Sequence, residues 1–253
     1  MKPIKFDLPL NGIKIANLEQ LKSNLGAEIL EPFRSGRLVK WFQVRSLNEQ
    51  AKAIEMLLVS DIEDEVQLLK KLYEIFDCEI DDDDAIESIT DYQISLSSNQ
   101  NLSEQQQNYL ASNKNYKVRL KLTENLSIDT SLQFKLANDE DVFVRRALAK
   151  NPLLDVVTQF KLASDKDFCV RRDLAQNPSL AVVTQFKLAN DVDSHVREAL
   201  AQNPAIDITV QSKLTDNKSE TSAVDSSDST FPSLHTKPIA WTVFGKLEEI
   251  LNS

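Results

Sequence analysis

The chain has 253 residues, of which 42% are hydrophobic and 27% charged, and its formal net charge is −10. That is the composition of a globular protein with one or two ordinary cores, and the acidic excess argues against broad phosphate binding, which normally needs a basic excess or a basic face. Two cysteines and two histidines leave no disulfide framework, no clustered metal site and little material for histidine-centred catalysis.

The first eighteen residues, MKPIKFDLPLNGIKIANL, interrupt their apolar residues with Lys, Asp, Asn and Gly, so neither a signal peptide nor a spanning helix is expected, and the chain reads as cytoplasmic. Residues 1–90 read as a small helical bundle. Three capping boxes are expected to open helices: Asn17 with Gln20, Ser46 with Glu49, and Ser60 with Glu63. Apolar stripes at helical spacing follow, with Leu18, Leu21 and Leu25, then Leu38, Trp41 and Phe42, then Ala51, Ile54, Leu57 and Leu58, then Val66, Leu69, Leu72, Tyr73 and Phe76.

Charge is unevenly spread. Residues 1–50 carry eight basic and five acidic side chains, whereas residues 51–100 carry three and fourteen, so the two parts can face each other. Within the basic part, FRSGRLVKWFQVR interleaves Arg34, Arg37, Lys40 and Arg45 with Phe33, Trp41 and Phe42, the mixture of cations and aromatic faces that an anion or single-stranded nucleic acid would use. The alternative is a set of core aromatics with a solvated cationic face. Asp81 to Asp84 lack the alternating ligands and the glycine of a calcium loop and are read as favourable charge at a helix start. Residues 91–106 are a polar connector.

From Gln107 a repeat takes over. VRRALAKNP at 144–152 returns as VRRDLAQNP at 170–178 and VREALAQNP at 196–204, a period of 26, and QFKLAND, QFKLASD and QFKLAND at Gln133, Gln159 and Gln185 keep the same register. Gln107 to Ala111 with Val118-Arg119 form a degenerate first copy, and Gln211 to Thr215 a truncated last one. Val144 and Leu148 share a helical face, Asn151-Pro152 stops that helix, and Val156 or Val157, Phe160 and Ala163 form a second stripe. Each unit is therefore two short helices that can bury their apolar faces only against the next copy.

The pattern D-x-D-x-x-V-R-x-x-L-A-x-N-P, followed by a helix ending in K-L-A, resembles the variant leucine-rich repeat of bacterial proteins. The resemblance covers residues 107–217, and the first copy departs from it, with Asn125 followed by no proline. It implies a right-handed solenoid in which one of the two helices is often 3₁₀, and a curved interaction scaffold rather than a conserved activity. Residues 1–90 resemble no family.

Arg119, Arg145, Arg171 and Arg197 recur once per repeat and are expected to form a ladder. It either holds an acidic partner or a phosphate backbone, or is satisfied internally by Asp141, Asp167 and Asp193 or by a neighbouring unit's carbonyls. Asn125, Asn151, Asn177 and Asn203 are expected to satisfy helix-end backbone groups. Residues 218–237 read as a disordered Ser/Asp-rich linker, and 238–253 as an amphipathic helix with Trp241, Phe244, Leu247 and Leu251 on one face. Three fates are open to that helix: to cap the repeats, to dock in a partner's groove, or to stay free.

No glycine-rich phosphate loop, G-x-S-x-G or H-E-x-x-H motif is present, and the chain has four glycines in all. The expectation is an all-α, non-catalytic protein with no cofactor, no metal and no membrane partner. It would bind a protein or peptide through Trp241, Phe244, Leu247 and Leu251 or through Arg145, Arg171 and Arg197. The alternative is a nucleic-acid-associated regulator using Arg34, Arg37, Lys40, Trp41 and Arg45.

Overall fold

The computed structural model describes residues 6–221, with side chains as far as Thr215. The described residues are mostly helical, as expected, with fifteen α-helices and one two-stranded sheet. They divide into two compact units, one ending at Leu96 and one beginning at Ser97. No helix among them is long and apolar enough to cross a membrane.

The first unit opens with an element the helical reading did not anticipate. Strands β1 (Leu8–Leu10) and β2 (Ile13–Ile15) pair antiparallel, Leu8 opposite Ile15 and Leu10 opposite Ile13. Asn11 and Gly12 connect them with φ of +50° and +73°, the double left-handed turn whose twist matches a hairpin. Leu8 and Ile15 are fully buried, so the hairpin is tied to the core by its inward face.

Seven elements follow: α1 (Leu18–Lys22), a 3₁₀ turn (Ala27–Ile29), α2 (Leu30–Arg34), α3 (Arg37–Gln43), α4 (Asn48–Leu58), α5 (Glu65–Ile75) and α6 (Asp82–Ser97). Asn17 caps α1 by accepting from the Gln20 amide at 2.9 Å, as its spacing implied. The return bond of a full box is not made, since Gln20 Oε1 accepts from the Ala16 amide at 2.8 Å, and the other two expected boxes are not formed at all. Ser46 sits at φ +61° in the turn that closes α3, so it cannot serve as an extended N-cap, and α4 starts after Leu47 without a side-chain cap. Asp64, not Ser60, caps α5, accepting from the Gln67 amide at 2.9 Å; the Ser60 hydroxyl instead donates backwards to Leu57 O at 2.7 Å. The Asp81 carboxylate accepts from the Asp84 amide at 2.8 Å, an N-terminal role for the acidic run.

In the second unit, nine helices run in sequence. These are α7 (Glu104–Ala111), α8 (Tyr116–Thr123), α9 (Thr130–Leu136), α10 (Val142–Ala149), α11 (Val156–Leu162), α12 (Phe168–Ala175), α13 (Val182–Leu188), α14 (Ser194–Ala201) and α15 (Ile208–Thr221). Even-numbered helices pack on even-numbered ones and odd on odd, giving two layers. The core is written in columns one repeat apart: Val118, Val144, Val170 and Val196 are fully buried, and so are Leu122, Leu148, Leu174 and Leu200. The second layer adds Leu110, Leu136, Leu162 and Leu188. Neither helix of a pair could bury its stripe alone.

Both helices of each repeat are α-helical, and the one 3₁₀ element among the described residues is Ala27–Ile29 in the first unit, so the alternating 3₁₀ turn implied by the family resemblance is not formed. The first turns carry full α bonding whether or not a side chain caps them: Gln133 N to Asp129 O and Gln159 N to Asp155 O are both 2.9 Å where Asp129 and Asp155 cap α9 and α11, and Gln185 N to Ala181 O is 3.0 Å at α13, where Ala181 offers no cap.

Candidate interaction surface

Three polar ladders occupy most of the repeat positions that looked available for a ligand. In the first, each buried asparagine ties its own repeat to the one before. Asn177 Nδ2 donates to Ala149 O at 2.9 Å and Asn151 O at 2.8 Å, while its Oδ1 accepts from the Ser179 amide at 2.8 Å. Asn125, Asn151 and Asn203 make the same three bonds one repeat earlier or later. The carboxamide is the one short side chain with two donors and an acceptor, which is what two buried carbonyls and an amide require.

The second ladder is glutamine. Gln159 Nε2 donates to Leu154 O at 3.0 Å and to Ser179 O of the next repeat at 3.1 Å, and its Oε1 accepts from the Ala181 amide at 2.8 Å. Gln133 and Gln185 repeat this arrangement. At the first rung, Gln107 keeps its two donor bonds, but its buried Oε1 has no partner.

The third is the arginine ladder. Arg145 Nε and Nη2 grip Asp165 Oδ2 and Oδ1 at 2.7 and 3.2 Å, and Nη1 donates to Asp139 O and Glu140 O at 2.8 and 3.2 Å. Arg119 holds Asp139 and Arg171 holds Asp191 in the same way. The expected acids Asp141, Asp167 and Asp193 are not the partners. They are the N-caps of α10, α12 and α14, accepting from the amides two residues on, and the carboxylates two residues upstream face the arginines. The hydrogen bond to the aspartate, opposed by partial burial, holds the Arg119, Arg145 and Arg171 guanidinium pKa values above the ordinary arginine value. The Nε and Nη2 edges of Arg145 and Arg171 are thus occupied by aspartates of the following repeat. Arg197 differs: Nη1 is held by Asp191 O at 2.6 Å and Val192 O at 3.2 Å, but no carboxylate among the described residues meets its outer edge.

The basic-aromatic segment of the first unit is likewise spent internally, which corrects its reading as an anion site. Trp41 and Phe42 are fully buried, packed edge to face at 5.0 Å, and Phe42 stacks on Phe76. Arg45 donates to Ala16 O and Phe6 O, both at 2.8 Å, and lies 4.1 Å from the Trp41 ring centroid. Burial draws its pKa below the ordinary arginine value, with Asp7 acting in the opposite sense. Arg34 pairs with Glu65 and Arg37 with Glu31, leaving Lys40 as the exposed cation of the set without a carboxylate among the described residues. Phe33, Trp41 and Phe42 are all buried, so no ring of this segment is available for a base to stack on. Trp241, Phe244, Leu247 and Leu251 lie outside the described residues.

What remains open is a stripe the sequence reading missed. Tyr116, Phe143, Phe168 and His195 occupy the first two positions of α8, α10, α12 and α14, and are 39%, 54%, 40% and 68% exposed. Tyr116 and Phe143 ring centroids are 6.5 Å apart, Phe168 and His195 6.2 Å. The signal was in the sequence: YKVR, VFVR, FCVR and SHVR each place a ring within two residues of Val-Arg, but the column alternates between two positions. Beside the inter-repeat loops lie two grooves of about 310 and 410 Å³, the smaller lined by Arg145, Lys161, Asp165 and Lys166, the larger by Lys114, Arg119, Lys135 and Asp139.

Comparison with protein-family models, with curated proteins and with solved structures found no match to this chain.

Proposed function

We propose that the second unit is a solenoid of the variant leucine-rich repeat kind and that the protein is a non-catalytic interaction scaffold or adaptor of the bacterial cytoplasm, docking a protein or peptide along the solenoid edge. The observation that carries this reading is the stripe of Tyr116, Phe143, Phe168 and His195. The repeat satisfies nearly all its buried polar groups internally yet leaves a ring at each turn at least 39% exposed, in contact with its neighbour in the stripe but not buried by it. Aromatic residues are the common anchors of protein interfaces, and a row at repeat spacing fits an extended segment better than a compact ligand.

The test is capture of partners from a bacterial lysate by the full chain and by a Phe143→Ser/Phe168→Ser variant, with and without nuclease. A partner lost with the two rings supports the scaffold reading. A partner indifferent to them moves docking elsewhere, to the residues around Trp241 and Phe244 among others. Recovery of nuclease-sensitive material alone would replace the scaffold by the nucleic-acid alternative.

A further inference from the structure

We propose that Arg197 forms a carboxylate-binding site at the last rung of the arginine ladder, built by the fold and left without an acid of the preceding kind. Three rungs show what the geometry is for. In each, loop carbonyls fix Nη1, and the edge formed by Nε and Nη2 takes an aspartate from the following repeat, with Nε bonds of 2.6 to 2.7 Å. Arg197 has the fixing half of this arrangement, Nη1 on Asp191 O and Val192 O, as Arg145 has Asp139 O and Glu140 O.

The accepting half changes at this turn. Asp139, Asp165 and Asp191 are followed, 26 residues on, by Asn217. Helices α9, α11 and α13 end at Leu136, Leu162 and Leu188, but α15 continues to Thr221, so position 217 is helical rather than part of a returning loop. The fork is therefore oriented in advance, and a carboxylate arriving there forms two charge-assisted bonds with little of the arginine's rotamer freedom left to lose. The ligand class is an aspartate or glutamate side chain on a protein segment. Its source is either an acid of this chain beyond Thr215 (Asp216, Glu220, Asp225, Asp228, Glu248 or Glu249) or a docked partner. This deepens the scaffold reading by giving it a charged anchor but does not depend on the aromatic stripe.

Arginine Nε–Hε NMR signals of the full chain provide the test, assigned by Arg→Lys substitution. The probe is an acetylated, amidated peptide of residues 136–144, LANDEDVFV, and its Asp139→Asn version is the control. Arg119, Arg145 and Arg171 should give shifted, slowly exchanging signals. If the source is a partner, the Arg197 signal starts apart from these and moves to join them at roughly millimolar peptide, less so with the control or in high salt, and the response disappears in Arg197→Gln. If the source is this chain, the Arg197 signal already lies with the other three and leaves them in the Asp216→Asn/Glu220→Gln/Asp225→Asn/Asp228→Asn/Glu248→Gln/Glu249→Gln variant. An Arg197 signal that answers neither to the peptide nor to that variant, wherever it starts, overturns the proposal. Because the readout is Arg197 itself, its failure would leave the outcome of the Phe143/Phe168 experiment untouched.

Discussion

Arg145 and Asp165, twenty residues apart in sequence, are joined by two hydrogen bonds of 2.7 and 3.2 Å, and both side chains are 7% exposed. The pair clamps one repeat to the next at the loop edge, while Asp165 Oδ1 also accepts from the Asp167 amide at 2.9 Å and shapes its own loop. Removing the acid leaves a buried guanidinium with half its donors unpaired. Asp165→Asn is expected to destabilise the second unit by about 3 kcal/mol, the usual cost of breaking a buried pair from one side. Asp173 provides the contrast. It stands where the neighbouring repeats have Ala147 and Ala199, and its partner Arg146, at 2.8 Å, is 28% exposed and can return to water. Asp173→Ala should change stability by less than about 1 kcal/mol. Urea unfolding of both variants decides the matter, and equal losses would refute the distinction.

Asn177 makes three buried hydrogen bonds, so its truncation orphans two carbonyls and an amide. Asn177→Ala should cost about 3 kcal/mol or more. Asn177→Asp should be no better, because a carboxylate cannot donate to Ala149 O and Asn151 O. Circular dichroism during denaturation checks this; a near-neutral Asp variant would mean that the ladder is not under tension from its donors.

Ala181, the N-cap residue of α13, offers no side-chain cap, and the buried Thr184 hydroxyl has no partner among the described residues. One repeat earlier, Asp155 caps α11 and accepts from the Thr158 hydroxyl at 2.5 Å. Ala181→Asp should therefore stabilise the protein by about 1 kcal/mol, supplying the cap and the missing acceptor together. A lower melting temperature in this variant would contradict the equivalence of the two turns.

Trp41 is fully buried, and its Nε1 donates to Ile15 O at 3.3 Å. In a Trp241→Phe background, its emission should be blue-shifted and insensitive to acrylamide and to single-stranded oligonucleotides. Quenching by an oligonucleotide would restore the stacking role that burial removes.

Asp207 caps α15, and bonds from the Thr209 hydroxyl and amide hold its pKa below the ordinary 3.8, against a smaller opposing effect of desolvation. A depressed folded pKa means that the cap contributes fully above the unfolded value and is lost as pH falls through the folded one. The stability gap between wild type and Asp207→Ala should therefore be constant near neutral pH and close as pH drops from about 5 to about 2. A gap that widens on acidification would reverse the sign assigned here.

The period of 26, the two helices per unit and the apolar columns at Val144 and Leu148 were legible in the sequence, because a stripe that recurs at fixed spacing has one way to be buried. The roles of Asn151 and of the arginine ladder were legible in kind. The hairpin at Asn11-Gly12 was signalled by its turn residues and passed over in favour of the helices around it. Tertiary structure alone decided which acid faces Arg145. Asp165 and Asp167 are two residues apart in one loop, and capping α12 turns Asp167 towards the Cys169 amide and leaves Asp165 for the arginine. It also decided that Trp41 belongs to the core and that no carboxylate among the described residues meets the outer edge of Arg197. Spacing along the chain records which residues share a face. Whether a cation on that face is met by a neighbour depends on where the next turn of backbone runs, and that is set by packing between segments that the local sequence does not encode.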